Sequence, residues 1–478
     1  MRKMARPVHE LASRACGPLA RSLACAQDAY RRFQRDTRGN IAVMLGFCTI
    51  ALVGGVGIAV DTSVAYNVRS QLSAAVDAAA LAGARAFASP NRDADIQNFF
   101  DANFQAGYMG TTLEPLQVTV NDENRTVTVV ARVTVPTSFM RVLGKDFTNV
   151  SATSEATLSS RDVEVSLVLD VTGSMSGSRI SDLRTAANEL VDIVVQDLQE
   201  PFYSKVALIP YSNAVNVGSY AETVRGATTA GTCTYPTAPT CDEFEFPNAD
   251  DGDDVTYDVT NCVTPRSGPQ LATDAAPSVA FLGKQYSHAT YNACPTPTIM
   301  PLSSNKTALH NSINALQAAG STAGHIGVAW GWYMISPNFG YLWPSASQPR
   351  DYGEVHLGQE VLKVVVIMTD GDFNTIYYDG VIAKNSASGS GSSEYKIDEN
   401  ATNGSSFDQA EDLCDNMKAE GVVVYTVGLD VASLQGAEDF VNNCATSADH
   451  VYLPANGTEL KAAFRDIAVQ VSNLRISM

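Results

Sequence analysis

Val163-Glu164-Val165-Ser166-Leu167-Val168-Leu169-Asp170-Val171-Thr172-Gly173-Ser174 decides the fold of this chain. The apolar run Val163–Leu169 predicts a buried strand, and a helix-like segment follows over 178–198. Between them Asp170, Thr172 and Ser174 bring a carboxylate and two hydroxyls onto one loop. A loop at the carboxyl end of a parallel strand is where open α/β sheets place ligands. Two later fragments fit the same site. Gly320-Ser321-Thr322 offers a hydroxyl before a helix, and Thr369-Asp370-Gly371 closes the apolar strand Val361–Met368. Oxygen donors with few charges suit Mg²⁺, which takes few protein carboxylates and keeps some of its waters. Asp-Gly and Thr-Gly pairs are also ordinary turn chemistry. Three such fragments, each at a strand end or helix start, point beyond turns.

Further short apolar runs at Val206–Ile209, Val422–Val427 and Val451–Leu453 alternate with helical patterns near 304–318, 323–335, 406–419, 435–443 and 457–474. Alternation of this kind predicts an α/β fold with a doubly wound, mostly parallel sheet from about residue 161 to the end. The Asp-x-Thr-x-Ser loop, the distant Thr and the later Asp resemble the metal-ion-dependent adhesion site of von Willebrand factor A (vWA) domains. Asp170, Thr172, Ser174, Thr322 and Asp370 match that pattern one by one, with Thr172 where many members have Ser. The resemblance implies Mg²⁺ (or Mn²⁺) held directly by the hydroxyls of Thr172, Ser174 and Thr322. Asp170 and Asp370 would act through water, and an acidic side chain of a partner would fill the remaining position. His325 reads as a helix-start residue, since imidazole matches an oxygen site poorly.

The chain is acidic, with 51 Asp plus Glu against 32 Lys plus Arg and a net charge of −19, which argues against a nucleic-acid binder. The charge is divided unevenly. Residues 1–39 carry nine Arg or Lys and three acids, net +6, leaving −25 for the rest. Between the basic tail and the acidic body lies Asn40–Val60, an uncharged run of 21 residues. At 1.5 Å per residue it extends about 31 Å, enough to cross a bilayer core. The positive-inside rule puts residues 1–39 in the cytoplasm and the larger part on the far side. A cleaved signal peptide has a shorter apolar core, and the small-x-small triplet Ala86-Phe87-Ala88 lies too far downstream to serve it. Gly39 sits where prepilins are cut, but the fifth residue after it is Met44 rather than the Glu those proteins carry. Gly46, Gly54, Gly55 and Gly57 are either ordinary membrane-helix glycines or a surface for close helix packing.

Arg38-Gly39-Asn40-Ile41-Ala42-Val43-Met44, the apolar run, Val60-Asp61 and the Ala-rich stretch to about residue 87 resemble the N-terminal region of TadE/TadG-like proteins of the tight-adherence (Flp) pilus. An anchor of this type before a vWA domain resembles the TadG-like members. The resemblance implies a single-pass protein of the bacterial inner membrane with a periplasmic C-terminal part, engaged with another pilus-assembly component.

Residues 61–160 predict a helix and a small antiparallel sheet, pilin-like in outline. Val64, Val68, Leu72 and Val76 form one helical stripe, and its simplest partner is the sheet that follows. Val118, Val120, Val127, Val129 and Val133 supply alternating β-branched positions around a turn at 121–124, Pro136–Leu143 predicts a short helix, and Val150–Leu158 a third strand. Insertions near 212–300 and 385–403 interrupt the C-terminal region. The first is long enough to need a local fold; the second, Ser/Gly-rich, predicts a mobile loop. Cys233, Cys241, Cys262, Cys294, Cys414 and Cys444 are six cysteines on the predicted exterior side, which fits disulfides in an oxidising compartment. Cys414–Cys444 is one expected bridge, and the other four cysteines allow three pairings. No Cys-x-x-Cys spacing supports zinc. Asp250-Asp251-Gly252-Asp253-Asp254 fails the calcium-loop pattern and reads as a solvated turn.

No nucleophile–base pair, phosphate loop or His-Glu-x-x-His is present, so an enzyme is not expected. The expected function is metal-dependent protein–protein contact in pilus assembly. The alternative is a structural pilin-like component or spacer without metal-dependent binding.

Overall fold

The computed structural model describes residues 40–87, 89, 91–121, 126–157, 161–288 and 290–476. The basic tail over 1–39 and the turn expected at 121–124 fall outside these residues, Asn121 excepted. The chain divides into two compact units, residues 1–158 and 159–478.

In the first unit, helix α1 spans Asn40–Arg85 without a break. Its first half is long and apolar enough to cross a membrane, and only 6% of the most apolar window is buried within the protein. Its second half buries Val68, Leu72, Ala75, Val76, Ala79 and Ala80. They pack on Val127, Val129, Ala131, Val133 and Val135, alternate residues of one strand, so the sheet is the partner of the stripe. That sheet has four antiparallel strands: β1 (Thr112–Leu113), β2 (Gln117–Asn121), β3 (Thr126–Pro136) and β4 (Phe147–Thr157). A short 3₁₀ turn, Met140–Leu143, joins the last two. Helix α2 (Arg92–Asn103) was not expected; only Ile96 and Phe100 of it are buried, an i,i+4 pair too sparse to announce a helix.

The second unit is built on a six-stranded sheet. Strands β5 (Val163–Asp170) and β6 (Ser204–Tyr211) come first in the chain. The first insertion then forms its own five-stranded sheet from β7 (Val215–Asn216), β8 (Thr229–Thr234), β9 (Cys241–Pro247), β10 (Asp254–Thr264) and β11 (Gly283–Ser287). The main sheet resumes with β12 (Met300–Ser303), β13 (Leu362–Thr369), β14 (Val423–Gly428) and β15 (Val451–Tyr452). Its order is β12-β6-β5-β13-β14-β15. Five strands are parallel, and the edge strand β12 is antiparallel to β6.

Alternation along β5 sends Val163, Val165, Leu167 and Leu169 to one face and Val168 to the other. The first face is covered by α3 (Ser178–Val194), α5 (Lys306–Asn314) and α9 (Gly457–Ile476). The opposite face is covered by α6 (Gly324–Tyr333), α7 (Ser406–Ala419) and α8 (Gln435–Cys444); the remaining helix, α4 (Ala221–Arg225), lies in the first insertion. Helix α6 approaches the sheet closely because glycines face it. A Cβ at Gly331 would stand 2.5 Å from the Val168 side chain.

Disulfides join Cys233–Cys241 and Cys262–Cys294 within the insertion, and Cys414–Cys444 ties α7 to α8. The acidic stretch is the β9–β10 turn. The Asn248 side chain caps it, accepting from the backbone N–H of Asp250 and Asp251. The 385–403 stretch is not the free loop its Ser/Gly content suggested. Ile397 is buried and bridges both Asn248 and Ala383, which fastens the second insertion to the first.

Candidate metal centre

The expected site residues lie at the carboxyl edge of the main sheet, where β5 and β13 end side by side. Asp170 is the last residue of β5 and is completely buried. Its Oδ1 accepts the Thr172 N–H at 2.9 Å. Its Oδ2 accepts the Tyr211 hydroxyl at 2.9 Å and the Thr369 hydroxyl at 3.0 Å. The next three residues are linked in series. The Thr172 and Ser174 hydroxyls are 2.8 Å apart, and the Ser174 hydroxyl donates to Asp370 Oδ1 at 2.6 Å. Four of the five expected residues therefore form one cluster.

Thr322 is held beside that cluster by backbone bonds. Gly173 N–H donates to Gly320 O, and Ala319 N–H to Val171 O, each at 2.9 Å. The Thr322 N–H donates to Asn374 Oδ1 at 2.9 Å. Among the described residues the Thr322 hydroxyl shares no hydrogen bond with the other four. Gly320 has φ +83°, and a Cβ there would fall 2.4 Å from Asn213 Oδ1, so only glycine permits this crossing of loops.

Burial, and next the negative charge of Asp370, push the Asp170 carboxyl above its usual range. The two carboxylates are not equally compensated. Arg179 donates to Asp370 Oδ2 at 2.9 Å and to Asp430 Oδ2 at 2.8 Å. Asp170 has no cation partner among the described residues; it is held by hydroxyls and one backbone N–H. A buried carboxylate without a countercharge is costly, and a divalent cation beside the Thr172 and Ser174 hydroxyls would relieve it. The donor set is all oxygen, which fits Mg²⁺ or Mn²⁺ better than softer metals. Among the described residues no three His, Cys, Asp or Glu side chains group to hold a metal, so any metal here depends on the hydroxyls.

Arg179, Asp430, Tyr211 and Asn374 were not foreseen. Arg179 stands in the first turn of α3, five residues after Ser174, and nothing in its local sequence tells it from a solvated helix arginine.

His325 is the second residue of α6, fully buried, with both ring nitrogens unpartnered among the described residues. Burial pulls its pKa down to about 3. The unfolded chain, with an ordinary value near 6.5, takes up a proton that the folded chain refuses until about pH 3. Stability is therefore lost as pH falls below 6.5, by about 2 kcal/mol at pH 5 from this residue alone. Denaturant unfolding of the wild type and His325→Leu at pH 7 and pH 5 should show the variant losing about 2 kcal/mol less. Equal losses would mean that the imidazole is not held neutral.

Residues 39–86, which contain the whole of α1, match the family model described as "Putative Flp pilus-assembly TadE/G-like". No curated protein matches the chain. Among solved structures, the vWF domain of the type V pili tip protein Mfa5 from Porphyromonas gingivalis is 12% identical, over 67% of this chain and 97% of that one, with a TM-score of 0.35. The pilus adhesin SpaC from Lactobacillus rhamnosus GG is 12% identical over 76% of this chain, with a TM-score of 0.34; the match covers 35% of SpaC, about a third of its length. The pilus adhesin RrgA from Streptococcus pneumoniae is 11% identical, over 75% of this chain and 49% of that one, with a TM-score of 0.34.

Proposed function

We propose that this chain is a membrane-anchored Flp-type pilus-assembly protein whose 159–478 unit is a vWA-type domain making metal-dependent contact with a partner. The TadE/G-like match over 39–86 supports the pilus assignment. One helix long and apolar enough to span a membrane supports the anchor. The observation that carries the binding site is the linked Thr172–Ser174–Asp370 cluster beside the unpaired Asp170, at the carboxyl ends of adjacent parallel strands. Thr172, Ser174 and Thr322 would hold Mg²⁺ or Mn²⁺, with Asp170 and Asp370 behind them. The bound ion would supply a Lewis-acidic position for a partner's carboxylate oxygen. By the charge of residues 1–39, the tail is cytoplasmic and the vWA-type unit periplasmic.

Calorimetric titration of Mn²⁺ into the detergent-solubilised chain, with Ser174→Ala beside it, tests the site. Binding to the wild type alone is the expected result; equal binding to both would remove the assignment.

The Arg179–Asp370 ion pair favours a second reading, in which the cluster is a metal-free latch closed by a guanidinium and the unit is a structural spacer. In that case neither protein binds Mn²⁺, and Arg179→Gln destabilises the fold whether or not metal is present.

A further inference from the structure

The β3–β4 turn of the first unit is clamped to helix α1. Asp61 follows the uncharged run directly, and its carboxylate accepts three consecutive backbone N–H groups of the turn. Ser138 donates to Oδ1 at 3.0 Å; Phe139 and Met140 donate to Oδ2 at 2.9 and 2.7 Å. One turn earlier in the helix, Gly57 lies against Phe139: a Cβ at Gly57 would stand 2.6 Å from the Phe139 Cβ. The height of the turn along α1 is thus fixed between Gly57 and Asp61. Gly57 lies three residues, about 5 Å, inside the end of the apolar run at Val60.

What the turn presents at that height is apolar. Phe139, Val142, Leu143 and Phe147 are 47%, 86%, 67% and 60% exposed. Val56, Ile58 and Val60 of the adjoining helix are also exposed, so the apolar surface runs from the helix onto the turn. Arg141 and Lys145 alternate with these side chains, and the only acid among them, Asp146, pairs with Arg141 at 3.3 Å. Large apolar side chains with basic neighbours, held about 5 Å inside a bilayer boundary, have the pattern of an interfacial anchor, whose apolar face enters about 5–10 Å.

We infer that residues 139–147 are a second membrane contact. Phe139, Val142, Leu143 and Phe147 enter the headgroup–acyl boundary beside α1, on the side that holds the first unit's sheet, and Arg141 and Lys145 meet lipid phosphates. The inference rests on α1 spanning the membrane. It explains why a carboxylate is tolerated at the end of the span: Asp61 is spent on three N–H groups rather than left facing lipid. It also gives Gly57 a role distinct from helix–helix packing.

The test uses the full chain with Cys16, Cys25 and Cys48 replaced by Ser, so that one added cysteine can carry an environment-sensitive NBD label. Val142→Cys reports the turn. Ala94→Cys reports α2, whose Ile96, two residues on, packs against Gly83, about 35 Å further along α1 than Val60. Both proteins are reconstituted into phosphatidylethanolamine–phosphatidylglycerol vesicles, with and without lipids carrying a shallow spin-label quencher. The expected result is blue-shifted emission at position 142, quenched about two-fold by the labelled lipid, with no quenching at position 94. Adding Gly57→Leu, which drives a side chain into Phe139, should restore water-like emission at 142 while the protein still resists alkaline carbonate extraction. Carbonate extraction of the parent protein would overturn the spanning helix, and the anchor with it. Carbonate resistance with water-like emission at 142 would overturn the anchor alone. Blue-shifted emission that lipid does not quench would mean that protein covers the turn, and would also overturn it.

Discussion

Asp170→Asn is expected to make the metal-free protein more stable than the wild type and to abolish its stabilisation by Mg²⁺. Asp170 is completely buried, with a second carboxylate close enough to raise its pKa and no cation of its own among the described residues. Asparagine keeps the shape. Its carbonyl oxygen can still accept the Thr172 N–H, and its amide can donate to the hydroxyls of Tyr211 and Thr369, which rotate to accept. What disappears is a desolvated negative charge beside another, which should return about 1–3 kcal/mol in EDTA. With Mg²⁺ at a hundred times its dissociation constant the wild type gains about 2.7 kcal/mol. The variant, short of one charge, gains little, so its lead in EDTA falls by about 2.7 kcal/mol in Mg²⁺ and the order of stabilities reverses wherever that lead is smaller. Urea unfolding in detergent, with EDTA or with Mg²⁺, reads this directly. An Asn variant less stable than wild type in EDTA would show Asp170 to be a satisfied member of a hydrogen-bond cluster, and the latch reading would gain.

Much of this site was legible because its residues are consecutive or punctuate apolar runs. β5, β13 and β14 are rich in Val, Ile and Leu, as strands buried on both faces tend to be, and loop chemistry at their ends stands out. The partners that tune the site were not legible. Arg179 and Asp430 are 251 residues apart and meet only after folding. The same holds for the elements that were missed. Met300–Ser303 contains Pro301, which argues against a strand in sequence, yet an edge position tolerates it. The Ser/Gly-rich 385–403 stretch carries one anchoring residue, Ile397, whose partners lie in another insertion. In each case the deciding contact is long-range, and local composition reports only the average behaviour of such segments.

Lys363→Met should be among the most destabilising single changes in the second unit, and Glu164→Gln should largely repair it. Lys363 of β13 and Glu164 of β5 are direct neighbours across the parallel ladder, both side chains buried. The ammonium lies 2.5 Å from Glu164 Oε2 and donates to the Ile335 carbonyl at 2.8 Å. Glu164 Oε1 accepts the Tyr203 hydroxyl at 2.7 Å and the Arg350 N–H at 2.9 Å. Burial pulls the Lys363 pKa down, and the Glu164 charge acts against that shift. Removing the lysine strands a buried carboxylate, at about 3–5 kcal/mol. In the double variant the side chain at position 164 is a neutral amide that keeps one oxygen for Tyr203 and Arg350, so most of the loss should return. A coupling energy near zero in the double-mutant cycle would sink this account. Glu164 and Asp170 are six residues apart on one strand, about 20 Å, beyond the range at which substitutions usually interact. The Mg²⁺-dependent gain should therefore survive in the protein carrying both Glu164→Gln and Lys363→Met. That separates a charge pair that holds the sheet together from a charge left unpaired at its edge for a ligand.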